Sequence, residues 1–326
     1  MPYHEINFLR SSFNKIKAIG FNPKYFSYRV KWNFLGKYPF QTFVPIHIDL
    51  ETASACNLRC TMCPHGYSDY KMTKGVLDFD LAVKIIKECS VIGVSSLKLS
   101  GRGEALLHPN LIDMVELAKS NGILDVMFNT NALLLSEEKT RYLIEAGIDL
   151  IIISVDGATK ETYESIRIGS NYEKVVNNID YLIRYRNENK KQKPLIRLQF
   201  VKMKENLHEL DAFYRQWQEK VDVIANIDYS NRVKQESKAV TELQPIGRNY
   251  CPHPWRRLTV NASGKALMCC VDWDGKYVVG DCYQESIKKI WQGTKIKFGR
   301  KCIINLEHNK VPSCRDCFSP ISYKWK

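Results

Sequence analysis

Short apolar runs alternate with longer segments of helical periodicity from about residue 45 to residue 230. Six runs are typical of buried strands: Ile46–Leu50, Leu97–Ser100, Val126–Asn129, Leu150–Val155, Leu195–Val201 and Val221–Ile227. Helical spacing of apolar residues separates them: Phe79–Cys89, Leu111–Ser120, Glu137–Ala146, Tyr172–Arg186 and Leu207–Glu219. This α/β alternation predicts parallel strands joined by crossover helices. Six strands are fewer than the eight of a closed barrel.

The pattern changes on both sides of this region. Before it, apolar residues between Phe8 and Ile19 fall at helical spacing and predict a short amphipathic helix packed on the protein, with a membrane surface as the alternative contact. After it, a polar linker precedes a β-hairpin that turns at Ala262–Gly264 and a short helix at Ser286–Trp291. We therefore expect an N-terminal segment (1–44), a main domain (45–230), a linker (231–250) and a C-terminal domain (251–326).

The composition is that of an ordinary globular protein, with 44% hydrophobic and 25% charged residues in 326. No apolar run approaches the ~20 residues of a membrane span, and the first residues lack the layout of a signal peptide. These features predict a cytoplasmic protein. Eleven cysteines in such a chain favour metal binding over disulfides.

The net charge of +13 is concentrated near the two ends. Residues 1–45 carry seven basic residues against one acid, and residues 288–326 carry ten against two. Such a distribution suits an anionic substrate, including a nucleotide-linked one, although solvated lysines explain it equally well. No recognisable nucleic-acid module is present, so we expect no nucleic-acid partner.

Three cysteines follow the first predicted strand within one short loop, Cys56-Asn57-Leu58-Arg59-Cys60-Thr61-Met62-Cys63-Pro64. Three thiolates can hold three irons of a [4Fe-4S] cluster and leave the fourth iron without a protein ligand. That iron can bind a chelating molecule such as S-adenosylmethionine (SAM) through its amino and carboxylate groups. The alternative is a zinc site completed by His65.

This C-x3-C-x2-C loop resembles that of the radical SAM superfamily. The resemblance implies a partial (β/α)6 TIM-like barrel, an electron donor such as flavodoxin or ferredoxin, and a 5′-deoxyadenosyl radical that takes a hydrogen atom from the substrate. Two residues depart from the superfamily pattern. Met62 stands where an aromatic residue is common, and Arg102 replaces one glycine of a glycine-glycine-glutamate motif.

The resemblance also assigns SAM-binding roles to residues at or near the ends of successive strands. Glu104 is expected to bind the ammonium group and Arg167 the carboxylate, although a solvent-facing arginine is the competing interpretation of Arg167. Ser154 and Asp156 are expected at ribose hydroxyls or the methionyl group. The complete predicted set is Gly103, Glu104, Asn129, Ser154, Asp156, Arg167 and Gln199. Arg197 shares a strand face with Gln199, so either residue can face the barrel interior.

A second cysteine group lies in the C-terminal domain, which resembles the SPASM iron–sulfur region in its short twitch form, a β-hairpin plus helix. The resemblance implies one auxiliary [4Fe-4S] cluster, held by Cys251, Cys269, Cys314 and Cys317. Cys270 is the substitute for Cys269, because adjacent residues of a strand point to opposite faces. A zinc ribbon is the alternative.

Four functions are compatible with these motifs. The first is an oxidoreductase that abstracts hydrogen from a sugar, aminocyclitol or related polar metabolite and passes an electron to the auxiliary cluster. The second is an epimerase in which a thiol of Cys282, Cys302 or Cys270 returns a hydrogen atom. The third is modification of a ribosomal peptide, and residues 1–44 are too few for a separate leader-binding domain. The fourth is an electron carrier without chemistry of its own.

Overall fold

The computed structural model describes residues 22–67, 75–229, 251–315 and 317. Contacts divide the chain into two compact units. Of the described residues, the first unit contains 22, 56–67 and 127–229, and the second contains 23–55, 75–126, 251–315 and 317. The helix predicted between Phe8 and Ile19 and the linker lie outside the described residues.

Strands and helices alternate along the described chain as predicted. The strands are β1 (His47–Leu50), β2 (Ser96–Lys98), β3 (Asp125–Thr130), β4 (Leu150–Ser154), β5 (Leu195–Lys202), β6 (Val223–Asp228), β7 (Arg257–Val260), β8 (Lys265–Leu267) and β9 (Val278–Asp281). The helices are α1 (Pro23–Lys37), α2 (Phe79–Ile92), α3 (Leu111–Ser120), α4 (Glu137–Glu145), α5 (Lys160–Ile166), α6 (Tyr172–Glu188), α7 (Leu210–Trp217), α8 (His253–Arg256), α9 (Ile287–Trp291), α10 (Thr294–Ile304) and α11 (Pro312–Arg315).

The first unit contains parallel strands in the order β6-β5-β4-β3. One face of these strands carries an apolar cluster of Leu150, Ile152 and Leu195, with Met127 packed against it. Farther along the same face, the register places Ser154 beside Gln199. This face therefore changes from apolar to polar towards the carboxyl ends of the strands. Helix α5 was not predicted, because seven residues are too few to show a helical period.

In the second unit, β1 pairs in parallel with β2 on one edge and with β7 on the other. Strands β7, β8 and β9 continue from there as antiparallel neighbours, which confirms the predicted hairpin. Gly264 closes its turn at a φ of +77°, a conformation that glycine adopts without strain.

Helix α1 also belongs to the second unit, and the sequence did not predict it. Its apolar residues form no single stripe, so the periodicity used for the other helices is missing. The helix is held instead by Trp32, whose ring lies under the guanidinium of Arg256 at 4.6 Å and meets His47 edge-on at 5.6 Å. Among the described helices, none is both long and apolar enough to cross a membrane.

Candidate functional site

The loop of Cys56, Cys60 and Cys63 is held by backbone hydrogen bonds within the first unit. The N–H of Arg59 donates to the carbonyl of Ile168 at 2.9 Å, and the N–H of Thr61 donates to the carbonyl of Ile166 at 2.9 Å. Cys60 is buried, whereas Cys56 and Cys63 are partly exposed. The loop therefore presents its three thiols from a fixed backbone.

Met62 fills the position where the superfamily commonly has an aromatic residue. It is half-buried and packs against the cluster of Ile166, Met203 and Tyr229. A flexible thioether can fill such an irregular gap. The departure from the family pattern is thus absorbed by packing beside the loop.

Arg167 and Asp156 are paired with each other beside the loop. Nη2 of Arg167 lies 2.5 Å from Oδ2 of Asp156, and Nη1 lies 3.9 Å from Sγ of Cys60. Oδ1 of Asp156 accepts the N–H of Val201 at 2.7 Å. Burial alone would lower the pKa of Arg167, but Asp156 and Cys60 outweigh it and raise that pKa. Burial also raises the pKa of the Cys60 thiol, and the nearby arginine opposes this rise.

This pairing favours a different role from the one expected for either residue. Arg167 is 6% exposed and Asp156 is fully buried, so the solvent-facing interpretation of Arg167 is wrong. Their direct contacts with SAM stay predictions. What the geometry supports is that Asp156 orients Arg167 towards a sulfur of the cysteine loop.

Glu209 holds the start of α5, the helix that ends next to Arg167. Its carboxylate accepts the N–H groups of Ala158 at 2.6 Å and Thr159 at 3.1 Å. It also accepts the hydroxyls of Thr159 at 2.5 Å and Thr162 at 2.7 Å. Glu209 is not among the predicted site residues, because nothing in its local sequence links it to a turn about 50 positions earlier.

The stability supplied by Glu209 should depend on pH. Burial would raise its pKa, but the hydrogen bonds outweigh burial and lower it. A lowered pKa means that the contribution is complete above the unfolded-chain value of about 4.3 and disappears as the pH falls through the folded-state pKa. Glu209→Gln should lower the free energy of unfolding by about 1–3 kcal/mol at pH 7 and by much less near pH 3. Urea denaturation at both pH values, with exposed Glu188→Gln as control, measures this. Equal losses at both pH values would contradict it.

The remaining predicted SAM residues of the first unit lie on β3, β4 and β5. Asn129 is in register with Ile152, and Ser154 is in register with Gln199. Just beyond β3, Nδ2 of Asn131 donates to Oδ1 of Asn57 at 2.9 Å. The strand ends are thereby connected to the cysteine loop within this unit.

Gly103 and Glu104 belong to the second unit. The backbone at Gly103 approaches so closely that an added Cβ would lie 2.1 Å from the carbonyl oxygen of Ala55. The N–H of Gly103 donates to Ala53 and that of Glu104 to Ala55. Glu104 is 3% exposed. A glycine is therefore required at position 103 for the segment that precedes Cys56.

Arg102, the second departure from the family pattern, has a structural partner. Its Nε lies 2.7 Å and its Nη2 lies 2.5 Å from the two carboxylate oxygens of Glu51. Nη1 donates to the carbonyl of Trp273 at 2.8 Å, and Glu51 also accepts the N–H of Ala262 at 2.9 Å. This paired arginine ties the loop after β2 to the hairpin of β7 and β8.

The second cysteine group is gathered within the second unit. Burial and, to a smaller extent, the neighbouring sulfurs of Cys314, Cys317 and Cys270 together raise the pKa of the Cys251 thiol to about 12, against an opposing backbone hydrogen bond at His253. Cys269 contributes to the same electrostatic environment. Cys251 is thus close to each of the three other predicted ligands of the auxiliary cluster, Cys269, Cys314 and Cys317. A set of soft thiolates of this kind fits an iron–sulfur cluster.

Cys269 and Cys270 do not lie in a strand, so the argument from strand alternation is wrong. Strand β8 ends at Leu267, where the pairing with β9 shifts register. Beyond that end the two thiols shift each other's pKa, raising that of Cys269 and lowering that of Cys270. Nη1 of Arg257 lies 3.8 Å from Sγ of Cys270. The same nitrogen lies 3.2 Å from Oδ2 of Asp49. The choice between Cys269 and Cys270 as ligand stays a prediction.

The other candidate hydrogen donors, Cys282 and Cys302, are each 1% exposed in the second unit. Burial raises the pKa of Cys282 to about 12, and the thiols of Cys282 and Cys89 are close enough to interact electrostatically.

In the described part of the chain, no three Cys, His, Asp or Glu side chains are placed to hold a single metal ion.

Two family models match the chain. The model of the radical SAM superfamily covers residues 50–215 and therefore half of the chain. The chain belongs to the radical SAM superfamily. The model of the SPASM iron-sulfur cluster-binding domain covers residues 251–318. The predicted family is confirmed, as are its iron–sulfur clusters and SAM as cofactors.

Curated relatives of this radical SAM protein match it over about half of its length. It is 33% identical to the "Tungsten-containing aldehyde ferredoxin oxidoreductase cofactor-modifying protein" of Pyrococcus furiosus, over 52% of this chain and 47% of that protein. It is 35% identical to the "GTP 3',8-cyclase" of Limosilactobacillus fermentum, over 41% of this chain and 40% of that protein. The chain thus spans less than half the length of these relatives.

Solved structures resemble the fold over most of the chain. BtrN in complex with AdoMet and 2-DOIA has a TM-score of 0.59 at 19% identity, covering 88% of this chain and 99% of BtrN. Streptococcus suis SuiB bound to precursor peptide SuiA has a TM-score of 0.67 at 13% identity, covering 91% and 80%. These identities show the fold alone, and they confirm the predicted α/β class: a partial TIM-like barrel with a small C-terminal domain.

Proposed function

We propose that this radical SAM protein is a cytoplasmic oxidoreductase that removes two electrons and two protons from a polar metabolite. Bound at Cys56, Cys60 and Cys63, a [4Fe-4S] cluster would hold SAM at its open iron and supply the electron that splits SAM into methionine and a 5′-deoxyadenosyl radical. SAM cleaved in this way would supply the group that removes a hydrogen atom from a substrate C–H bond beside a hydroxyl group. Loss of a proton from that hydroxyl and of one electron to the auxiliary cluster would leave a ketone.

The observation that carries this proposal is the second cysteine group. Cys314 and Cys317 act electrostatically on Cys251 in the second unit, and Cys251 acts in the same way on Cys269, the fourth thiol. Four thiolates would leave no open iron for substrate, so we assign to this one auxiliary cluster the role of electron acceptor. The fold likeness to BtrN, whose solved structure is a complex with AdoMet and 2-DOIA, agrees with a small-molecule substrate.

The residues of the chain set the conditions for this reaction. Arg167, oriented by Asp156, places a guanidinium N–H near the sulfur of Cys60. Hydrogen bonds to cluster sulfurs are among the factors that set a reduction potential. Ser154 and Gln199 present polar groups to SAM on the adjoining strand ends. A flavodoxin or ferredoxin is the proposed electron donor.

Product stoichiometry tests the reaction type. After anaerobic reconstitution with iron, sulfide, SAM and a reductant, one ketone should form per 5′-deoxyadenosine when candidate sugars and aminocyclitols are supplied. No external oxidant is needed, because the substrate electron leaves through the auxiliary cluster. An unoxidised product carrying solvent deuterium would contradict oxidation and support epimerisation.

Replacing one auxiliary ligand should separate SAM cleavage from oxidation. Cys314→Ala is expected to retain 5′-deoxyadenosine formation and to lower ketone formation at least about tenfold, since the substrate electron loses its acceptor. Iron analysis and product quantification measure both effects. Cys89→Ala, which removes a buried thiol of α2 in the same unit, should change neither. Equal loss of both products in Cys314→Ala would contradict the assigned role.

A further inference from the structure

Arg197 is a charged residue on an otherwise apolar stretch of the first unit. It lies in β5 between Leu195 of the apolar cluster and Gln199. The register places Ile152 of β4 on one side of it and Val223 of β6 on the other. Neither neighbouring strand offers a carboxylate at that level of the sheet.

The guanidinium has no partner among the described residues. Its Nε is buried without a hydrogen bond, and no described Asp or Glu forms an ion pair with it. Burial lowers the pKa of Arg197, and no charge among the described residues opposes this effect. Its charge is therefore uncompensated by the part of the chain that the structure describes.

Arg197 itself is partly exposed, although its Nε is buried. Two more deeply buried arginines of the same unit, Arg186 and Arg167, are paired. Nη1 of Arg186 contacts Oδ2 of Asp222 at 2.5 Å and the carbonyl of Pro194 at 3.0 Å. Arg167 is paired with Asp156. A partly buried cation without a counter-charge costs stability, and an apolar residue at that position would extend the cluster of Leu150 and Leu195. Packing alone therefore does not account for an arginine at this position.

We infer that Arg197 binds an anionic group of the substrate, a carboxylate or a phosphate, on the strand face that carries Ser154 and Gln199. Successive residues on one face of a strand lie about 7 Å apart, so an anion at Arg197 adjoins the position expected for SAM. The inference rests on the proposed function for the identity of the ligand as substrate. The carboxylate of SAM is the other source of the same chemistry.

Binding of small dianions tests the site without knowledge of the substrate. Pyrophosphate and malonate are titrated by calorimetry into anaerobically reconstituted protein saturated with SAM. We expect at least one of them to bind, and Arg197→Met to weaken that binding about tenfold to a hundredfold, since charged hydrogen bonds are lost. Arg215→Met removes the same group from the exposed face of α7 and should leave the affinity unchanged. The dissociation constant of SAM should be the same in all three proteins.

Thermal unfolding of the anaerobically reconstituted proteins, without added dianion, gives a second readout. Arg197→Met should raise the melting temperature by a few degrees, whereas Arg215→Met should not, because only the first variant removes a partly buried guanidinium whose Nε has no hydrogen bond. A folded variant of higher stability with lost anion affinity is the expected signature of a binding residue.

Each alternative gives a distinct result. If Arg197→Met weakens SAM instead of the dianions, the anion is the carboxylate of SAM and the substrate assignment is overturned. If neither dianion binds in an Arg197-dependent manner and SAM is unaffected, the anion site itself is overturned. If the wild-type protein does not cleave SAM, the proposed function is refuted. The dianion titration does not depend on SAM cleavage, so its result still decides whether Arg197 binds an anion.

Discussion

Cys60→Ala is expected to abolish SAM cleavage and to lower the iron content from about eight to about four atoms per chain, the numbers for two and one cubane clusters. Cys60 is the buried thiol of the C-x3-C-x2-C loop and lies beside Arg167. Without it, the three-thiolate site that leaves one iron open for SAM cannot form. The rate of SAM cleavage should fall below the detection limit of a 5′-deoxyadenosine assay.

The spectrum of the remaining iron makes this experiment specific. In Cys60→Ala the four retained irons should belong to the auxiliary cluster and should not respond to SAM in electron paramagnetic resonance. Cys89→Ala is the matched control, because it also removes a buried thiol and should retain all iron and full cleavage. Residual cleavage at more than a few per cent of wild type in Cys60→Ala would refute the assignment of this loop.

Arg167→Met is expected to cause the largest loss of stability among single changes near the loop. It leaves the fully buried carboxylate of Asp156 without its counter-charge, with the N–H of Val201 as a remaining donor. Removal of one partner from a buried ion pair typically costs about 3–5 kcal/mol. Arg167→Lys keeps the charge but not the planar fork, so an intermediate loss is expected.

A double-mutant cycle measures this coupling. Urea denaturation at pH 7 of Arg167→Met, Asp156→Asn and the combined variant should show a double variant less destabilised than the sum of the single ones. Exposed Arg215→Met provides the control for loss of an arginine in the same unit. Additive effects, or a loss for Arg167→Met no greater than for the control, would show that the pair is not energetically coupled.

Patterns that are local in the chain were readable from the sequence. The alternation of strands and helices, the loop of Cys56 to Cys63 and the hairpin around Gly264 each depend on residues close together in the chain. The family match confirms what these patterns indicated about cofactors. Local periodicity predicts the elements, whereas the chemistry was implied by the resemblance of the cysteine motifs to a known family.

Contacts between distant residues could not be read in the same way. Glu209 binds a turn about 50 positions before it, and Arg257 lies against Asp49 across 208 positions. Such pairings depend on the register of strands and on which residues of a loop face inwards. The hydrophobic periodicity of a short segment determines neither of these. Helix α1 was missed for a related reason: its contact through Trp32 is made with distant residues rather than by an apolar stripe.

The parallel pairing of β1 with β7 has a consequence for biosynthesis. About two hundred residues must leave the ribosome after His47 before its sheet partner Arg257 is available. Until then one edge of β1 exposes unpaired backbone groups to other nascent chains, and closing so distant a contact is slow. Chaperone capture during translation should therefore persist until the hairpin emerges, and ribosome arrest shortly before it should yield aggregation-prone chains.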